Sequence, residues 1–465
     1  MNFINLVENY KEDIIKSTQD IIGIKSVEEE AKPNMPFGEG PYKALEFALN
    51  LAQEMGFETK NLDGYAGHAD LGQGEEIVGI LVHLDVVPEG EGWTYPPYGG
   101  EIHDGKIYGR GTADDKGPAI ACMYAMKALK ESGVKLNKKI RIIFGTNEET
   151  GWGCMKHYFA NEKAPDMAFT PDADFPVIHG EKGIIIFDLV KKLSSNSCNG
   201  IVLKSIKGGN APNMVPDHCE TILEVEDVSA IEEKLNKFVQ KTKYPLSMEK
   251  GGRNIKIIAK GISAHGSTPQ KGKNAISHLM AFLGELLTGS CDICEFINMY
   301  NEKIGFKHYG EGIGCGFEDD VSGKLNFNPG VIKGNEEEIK LTINVRYPIK
   351  SSAKEVYDGI REALKDTKIE LVEGDSDKKP LYIPKDNFLV EKLMKVYKEE
   401  TGDMESEPIT IGGGTYARAM KNAVAFGPNF PGQKEVAHQK DEFISIEHLM
   451  DITKIYAKAL YELAK

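Results

Sequence analysis

Apolar runs alternate with helical patterns over the first part of the chain. Residues 78–87 form a largely apolar run, and a second run covers residues 140–144. Between them, apolar residues recur at helical spacing after Lys116. Continuous apolar runs are typical of strands that are covered on both faces, as in parallel sheets. The pattern therefore predicts an α/β fold with a mostly parallel central sheet flanked by helices, in which a crossover helix joins two of the strands.

The pattern changes twice along the rest of the chain. In its middle part, short strand-like stretches such as 183–190 are separated by helical and glycine-rich segments, which predicts an inserted α+β domain. The last part returns to the α/β pattern and ends in a helix with Ser445 as its predicted N-cap. We therefore predict one discontinuous domain, 1–180 and 386–465, and one inserted domain, 181–385.

Composition and charge narrow the possible partners. The 71 acidic residues outnumber the 56 Lys and Arg residues, and the formal net charge of -15 would repel nucleic acid and anionic lipid. We therefore expect neither nucleic acid nor membrane as a partner. The N-terminal residues lack the pattern of an export signal, and the seven cysteines lack the spacing of a disulfide framework. A soluble, cytoplasmic protein is expected.

One pair of cysteines, Cys291 and Cys294, has CxxC spacing. Neither a second pair nor a βαβ pattern accompanies it, so half-buried cysteines without a chemical role are the favoured interpretation. A zinc or redox role is the alternative.

Polar side chains at the end of the first apolar run indicate a site. Open α/β sheets bind ligands at the carboxyl ends of their strands, where His83 and Asp85 lie. Residues two apart on a strand share a face, so Asp85 is expected to hydrogen-bond His83 and to orient it. A structural pair of histidine and carboxylate is the alternative for this motif alone.

Further carboxylates favour a cation over a phosphate. The glycine-rich segment GRGTADDKG, residues 109–117, contains Asp114 and Asp115. A phosphate-binding loop is the competing interpretation, but the segment lacks the GK[ST] signature, and two carboxylates would repel an anion. Carboxylates of this kind are able to bridge two metal ions.

Adjacent glutamates follow the second apolar run. If a metal ion binds one of Glu148 and Glu149, the other remains available as a general base with a pKa raised by burial. Asp172 follows a further short strand, and His438 lies in the segment AHQKDE. Each alone is compatible with a structural role, but together these side chains suit a pair of zinc, cobalt or manganese ions.

At these residues the sequence resembles the co-catalytic metallopeptidase family that includes aminoacylase, acetylornithine deacetylase and carnosinase, and most closely its PepV-type dipeptidases. The resemblance spans nearly the whole chain. The motifs that carry it, in order, are HLDVVPEGEGW, YGRGTADDKGP, NEETGWGC, TPDADFP, SAHGSTP, NVRYP, GGGTYAR and AHQKDE.

The resemblance implies a role for each site residue. Two divalent ions, zinc first and manganese or cobalt as alternatives, are bound by His83, Asp114, Glu149, Asp172 and His438. Asp114 bridges both ions, Asp85 orients His83, and Glu148 is the general base. The resemblance also implies a cis peptide bond between Asp114 and Asp115, and makes the discontinuous domain catalytic and the inserted domain a lid.

The resemblance implies further roles for residues in shorter motifs. His265 polarises the scissile carbonyl with the help of Asn213, and Arg346 binds carboxylate or carbonyl oxygens. The backbone of Gly413, Gly414 and Thr415 receives the carboxylate of the substrate. A loop histidine, a surface ion pair and a flexible turn are the corresponding structural alternatives.

The expected protein is a monomeric metallopeptidase that hydrolyses dipeptides or short peptides with a free N-terminus by means of a metal-activated water. An N-acyl amino acid deacylase of the deacetylase or desuccinylase type is the nearest alternative, and the length of the insertion favours the dipeptidase. A noncatalytic binding module and a nucleotide-binding protein are disfavoured, because the acidic residues are intact and phosphate signatures are missing.

Overall fold

Seven consecutive buried residues, IVGILVH, form the strand Ile77–His83 near the middle of a nine-stranded sheet. A side chain at Gly79 would place its Cβ 2.5 Å from Pro165, so glycine permits the close packing on this face. Burial of both faces agrees with the prediction from the apolar run. The helix Lys116–Ser132 follows it and precedes the parallel strand Lys139–Gly145, as expected for a crossover.

The computed structural model describes residues 2–465, which form two compact units. Unit 1 runs to His179 and continues in Tyr382–Ile409 and Gly414–Lys465, and unit 2 comprises Gly180–Leu381 and Thr410–Gly413. The roles of catalytic domain and lid domain, and their expected limits, stay predictions.

Unit 1 combines helices with mixed strands. Its helices are Asn2–Asn9, Lys11–Ile22, Glu39–Glu54, Lys116–Ser132, Gly153–Asn161, Phe388–Thr401, the 3-10 turn Tyr416–Ala419, and Ile446–Ala464. Its strands are Glu58–Leu62, Ala66–Leu71, Ile77–His83, Glu101–His103, Lys106–Tyr108, Lys139–Gly145, Met167–Thr170, Ala173–Asp174, Ala423–Ala425, Pro428–Asn429 and Phe443–Ser445. The chain passes between the units at the strands Ile178–Glu181, Leu381–Tyr382 and Ile409–Ile411.

The sheet of unit 1 is mixed, which corrects the prediction of a mostly parallel sheet. Four neighbouring strands are parallel, namely Lys139–Gly145, Ile77–His83, Met167–Thr170 and Ala423–Ala425. The hairpin strands beside them pair antiparallel. A short turn can connect two antiparallel strands, whereas two parallel strands need a longer crossover connection. An apolar run in the sequence does not show which of these two pairings a strand adopts.

Unit 2 has an antiparallel sheet with helices packed against it. Its strands are Gly183–Lys192, Ser197–Cys198, Ile201–Gly208, His218–Glu224, Leu246–Gly251, Asn254–Lys260, Glu318–Asp319, Gly323–Lys324, Asn326–Gly334, Glu338–Tyr347, Glu370–Val372 and Asp377–Lys378. Its helices are Val228–Thr242, the 3-10 turn Pro269–Lys271, Ala275–Leu286, Asp292–Met299, the π-helical turn Tyr300–Ile304, and Ala353–Leu364. Strand residues alternate between buried and more exposed positions, as expected for an α+β unit with one covered face.

The C-terminal helix begins as the sequence predicts. The Ser445 hydroxyl accepts a hydrogen bond from the backbone N–H of His448 and so caps the helix Ile446–Ala464. Across residues 2–465, no helix has the length and apolar character to span a lipid bilayer.

Candidate metal centre

Three neighbouring parallel strands of unit 1 end at one edge of the sheet, and polar residues follow each end. The strands and these residues are Ile77–His83 with His83 itself, Lys139–Gly145 with Glu148 and Glu149, and Met167–Thr170 with Asp172. Parallel strands bring their carboxyl ends to the same edge, so residues far apart in the chain meet there. The polar residues that the sequence singles out after these strands therefore meet at this edge of the sheet.

Asp114 stands between two imidazoles. Its Oδ1 atom lies 2.9 Å from Nε2 of His83, and its Oδ2 atom lies 2.9 Å from Nε2 of His438. Each oxygen of this carboxylate therefore faces a different histidine. The peptide bond between Asp114 and Asp115 is cis, as the family resemblance implies.

Two groups of possible ligands share Asp114. In the first, donor atoms of His83, Asp114 and Asp172 all lie within 4.8 Å of one another. The second joins Asp114 to Glu149 and His438 within the same distance. The structure thus brings together all five side chains that the sequence predicts as metal ligands.

The charges of this cluster favour a cation. Burial and the neighbouring Asp114 carboxylate raise the pKa of Asp172 to about 7 and also raise that of Glu149. Although burial lowers the pKa of His438, Asp114 and Glu149 raise it to about 11, and carboxylates likewise hold the pKa of His83 well above its usual range. Carboxylates crowded in this way stabilise positive charge, whether proton or metal ion.

The donor set fits divalent metal ions. Nδ1 of His83 donates a hydrogen bond to the backbone carbonyl of Asp85 at 2.9 Å, so that in the neutral imidazole Nε2 is the unprotonated atom facing Asp114. The side chains of His83, Asp114, Asp172 and Glu149 are at most 16% exposed, whereas that of His438 is 50% exposed. Imidazole and carboxylate ligands suit zinc, manganese and cobalt.

The position of Asp85 corrects one sequence expectation. Its carboxylate lies 3.7 Å from Nδ1 of His83, too far for the predicted hydrogen bond, because the strand ends at His83. Instead, Oδ1 and Oδ2 accept hydrogen bonds from the backbone N–H groups of Glu148 and Glu149, each at 3.0 Å. Asp85 therefore orients His83 through its carbonyl and holds the glutamate segment through its side chain.

Glu148, the predicted general base, is half-buried and directly precedes the possible ligand Glu149. Burial raises the pKa of Glu148 well above its ordinary value, and nearby carboxylates add to the shift. The indole N–H of Trp152 donates a hydrogen bond of 3.0 Å to Oε1 of Glu148. The sequence interpretation assigned no role to Trp152, although it stands within the motif NEETGWGC.

A buried ion pair that the sequence interpretation missed supports the Asp114 segment. Glu442 Oε2 lies 2.6 Å from Nη1 of Arg110, and both side chains are at most 3% exposed. Oε1 of Glu442 accepts hydrogen bonds from the backbone N–H groups of Gly111, Ala113 and Asp114 at 3.0, 2.9 and 3.3 Å. Burial and the Asp114 carboxylate raise the pKa of Glu442 to about 7.

The same pair connects the segments that carry two of the possible ligands. Arg110 Nη1 also donates to the carbonyl of Gln439, the residue after His438, at 3.2 Å. Arg110 belongs to the motif GRGTADDKG and Glu442 to the motif AHQKDE, so both motifs could be recognised in the sequence. Their pairing was not, because they lie 332 residues apart in the chain.

Asn213 and His265 are neighbours in unit 2. The backbone N–H of Gly266 donates to the carbonyl of Asn213 at 2.7 Å, and both Asn213 and His265 are exposed. The backbone N–H of Ser267 donates to Nδ1 of His265 at 3.3 Å, and the Ser267 hydroxyl lies 2.6 Å from the same atom. An Nδ1 atom that accepts a backbone N–H leaves the proton of a neutral imidazole on Nε2.

Arg346 is buried in unit 2, and its guanidinium donates hydrogen bonds within the protein. Nε donates to Oδ1 of Asn344 at 2.8 Å, and Nη1 donates to the carbonyl of Gly412 at 2.9 Å. Arg346 therefore holds the start of the segment GGGTYAR. Binding of a substrate oxygen by Arg346 stays a prediction.

The three residues predicted to receive the substrate carboxylate differ in exposure. Gly413 is half-buried, Gly414 is exposed, and Thr415 is buried. The Thr415 hydroxyl accepts a hydrogen bond from the backbone N–H of Ala417 at 3.2 Å and caps a 3-10 turn. Their role in substrate binding stays a prediction.

Comparisons with known proteins agree on one family. The model of "Peptidase family M20/M25/M40" matches residues 79–462. A Bacillus subtilis (strain 168) protein named "Putative dipeptidase YtjP" is 41% identical over 473 residues, which cover 100% of both chains.

Two solved structures share the fold over nearly the whole chain. Human carnosine dipeptidase 1 has a TM-score of 0.59 at 14% identity and is matched over 99% of this chain and 98% of that one. The di-peptidase Dug1p from Saccharomyces cerevisiae has a TM-score of 0.59 at 13% identity, with the same coverage of 99% and 98%. At these identities the two structures show a common fold alone.

Proposed function

The chain belongs to peptidase family M20/M25/M40 and is a hydrolase, and on this premise we propose that it is a dinuclear metal-dependent dipeptidase acting on short peptides with a free N-terminus. The names of its relatives support the substrate class, since the Bacillus subtilis protein and both solved structures are named as dipeptidases. The arrangement of the Asp114 carboxylate between two imidazoles is the observation that carries the metal chemistry.

In the proposed centre, Asp114 would be a ligand of both divalent ions. His83 and Asp172 complete one ligand group, and Glu149 and His438 complete the other. We propose zinc, with manganese or cobalt as alternatives, because all three accept imidazole and carboxylate ligands. When bound, the ions would lower the pKa of a water molecule and polarise the amide carbonyl of the substrate.

Glu148 is proposed as the general base. It would take a proton from the attacking water and deliver it to the nitrogen of the leaving amine. A raised pKa suits both steps, because a carboxylate of ordinary pKa holds a proton too weakly to donate it efficiently. The hydrogen bond from Trp152 would fix the orientation of the Glu148 carboxylate.

His265 is proposed to donate a hydrogen bond to the oxygen of the scissile carbonyl. Its Nδ1 accepts the backbone N–H of Ser267, which favours the tautomer with the proton on Nε2. A donor of this kind stabilises negative charge as it develops on the oxygen. Asn213 is proposed to assist, and Arg346 with the backbone of Gly413, Gly414 and Thr415 to bind the substrate carboxylate.

The proposal is tested with a panel of alanine-containing dipeptides and the matching N-acetyl amino acids. Metal-stripped protein is restored in turn with zinc, manganese or cobalt, and release of free amino acid is measured. We expect hydrolysis of the dipeptides and much slower hydrolysis of the N-acetyl compounds. Faster hydrolysis of the N-acetyl compounds would identify a deacylase, and activity that persists in the stripped protein would contradict metal dependence.

We also propose that the protein acts as a cytoplasmic monomer. Seven free cysteines are compatible with a reducing compartment. Light scattering of the purified protein should give a mass near 51.3 kDa, and a mass near twice that value would contradict the monomer.

A further inference from the structure

Three cysteines meet in unit 2, whereas the metal ligands proposed above belong to unit 1. The Sγ atom of Cys294 lies 2.7 Å from that of Cys291 and 3.0 Å from that of Cys198. All three sulfur atoms lie within 4.8 Å of one another. The CxxC pair of the sequence therefore has a third partner, which stands 96 residues before Cys294.

Local structure places all three thiols at one point. Cys291 is the N-cap of the helix Asp292–Met299, and its Sγ accepts the backbone N–H of Cys294 at 3.3 Å. Cys198 ends the short strand Ser197–Cys198, which pairs with the strand that begins at Ile201. A helix N-terminus stabilises a thiolate, because its N–H groups and dipole favour negative charge.

Cys291 differs from the other six cysteines. Those six are all buried, and burial raises the pKa of each of them: Cys122, Cys154, Cys198, Cys219, Cys294 and Cys315. Cys291 is only half-buried. Burial raises its pKa, but the thiols of Cys294 and Cys198 lower it, and the net shift is downwards.

The presence of a third thiol favours a metal ion over a disulfide. A disulfide joins two sulfur atoms at about 2.05 Å and would leave the third cysteine unused. Three sulfurs around one ion, each at about 2.3 Å from it, lie up to about 4 Å apart, so small movements of these side chains would admit an ion. Because Cys291 is partly exposed, an ion could enter from solvent.

We propose that Cys198, Cys291 and Cys294 form a second metal site, which binds one soft cation such as Zn(II) or Cu(I) through three thiolates. Thiolate ligands select Zn(II) and Cu(I), and unlike the imidazole and carboxylate ligands of unit 1 they do not suit the harder Mn(II). Each thiol that binds the ion releases its proton to solvent. The site would tie the short strand at Cys198 to the start of the helix Asp292–Met299.

The test uses Cd(II) as the probe, because thiolate sulfur bound to Cd(II) gives an ultraviolet charge-transfer band that carboxylate and imidazole ligands do not give. The full-length protein is reduced, stripped of metal and titrated without oxygen. We expect a saturable band, and because Cd(II) bound by the unit 1 ligands adds nothing to it, saturation should come between about one and three equivalents per chain. No band in the wild-type protein would overturn the proposal.

Cysteine variants identify the residues that give rise to the charge-transfer band. The triple variant Cys198→Ser, Cys291→Ser, Cys294→Ser should lose it, while Cys315→Ser, a buried cysteine elsewhere in unit 2, should keep it. If the triple variant does not fold, Cys291→Ser alone replaces it, since this half-exposed side chain is the one that tolerates serine best. A band of full intensity in the variant used would overturn the assignment.

Alkylation of the wild-type protein provides a measurement that needs no variant. Mass spectrometry after treatment with iodoacetamide should show that Cd(II) protects these three cysteines, with Cys291 showing the largest decrease in labelling. Equal labelling with and without Cd(II) would overturn the proposal. So would a reduced protein that binds no Cd(II) but readily forms a disulfide among the three cysteines.

Discussion

The acidic centre of unit 1 and the His265 segment of unit 2 are built in different ways. In unit 1, buried side chains hold one another, and the carboxylates of Asp85 and Glu442 accept the backbone N–H groups of the segments that carry possible ligands. In unit 2, His265 is exposed and is oriented by the backbone N–H and hydroxyl of Ser267. The proposed roles therefore lead to different expectations: changes at the proposed ligands of unit 1 or at the residues that hold them would alter metal binding, whereas a change at His265 would alter turnover and leave metal binding intact.

The largest effect is expected for Glu148→Gln, which keeps the size of the side chain but removes the base. Turnover of a dipeptide should fall by about 10^3-fold, because general-base catalysis contributes on this order. Metal content, measured by atomic emission, should stay at the wild-type value, because Glu148 is not a proposed ligand. Nearly unchanged turnover would rule out the base assignment, and loss of metal would make Glu148 a ligand.

The next largest effect is expected at His265. His265→Ala should lower kcat by about 10^2-fold, as removal of an oxyanion donor does, with metal affinity unchanged. Ser267→Ala should give a smaller decrease in kcat, because it removes the hydroxyl contact to Nδ1 but keeps the backbone N–H.

His218→Ala is the matched control for this pair, since His218 is another exposed histidine of unit 2 and should have wild-type kinetics. A decrease in metal affinity in His265→Ala would break the comparison between the two regions. An unchanged kcat would show that His265 supplies no donor.

The smallest effect is expected for Glu442→Gln, which should lower the affinity for metal. A glutamine would present an amide group to backbone N–H donors and would lose the charge that pairs with Arg110. Metal affinity, measured by competition with a chromogenic chelator, should fall by about 10-fold, as for other residues that orient ligands.

Glu435→Gln, an exposed change in the same C-terminal segment, should leave metal affinity unaltered. Equal affinities in Glu442→Gln and wild type would mean that Glu442 supports the fold and not the metal ligands. A lower thermal stability without a change in affinity would lead to the same conclusion.

The family and the α/β character of the chain were predictable from its sequence, and the comparisons confirm both. Ligand candidates such as His83, Glu149 and Asp172 could be found because each follows a strand-like apolar stretch, a position that the sequence displays directly. The mixed pairing of the sheet was missed, because apolar runs report burial and not the direction of the neighbouring strand.

Contacts that depend on the direction of the backbone at the end of a strand also could not be predicted from the sequence. The Asp85 carboxylate was expected to bond His83 but instead accepts the backbone N–H groups of Glu148 and Glu149. The alternation of side chains holds within a strand, and Ile77–His83 ends before Asp85. Motif spacing carries no information about such a change in direction.

The amino-acid sequence alone determined which chemical groups this protein possesses and near which strand ends they lie, because burial and alternation are local properties of the chain. Tertiary structure alone decided which distant groups meet: Arg110 with Glu442, and Cys198 with the CxxC pair. Contacts across such separations depend on how whole elements pack, and packing is a property of the folded chain that no local pattern records.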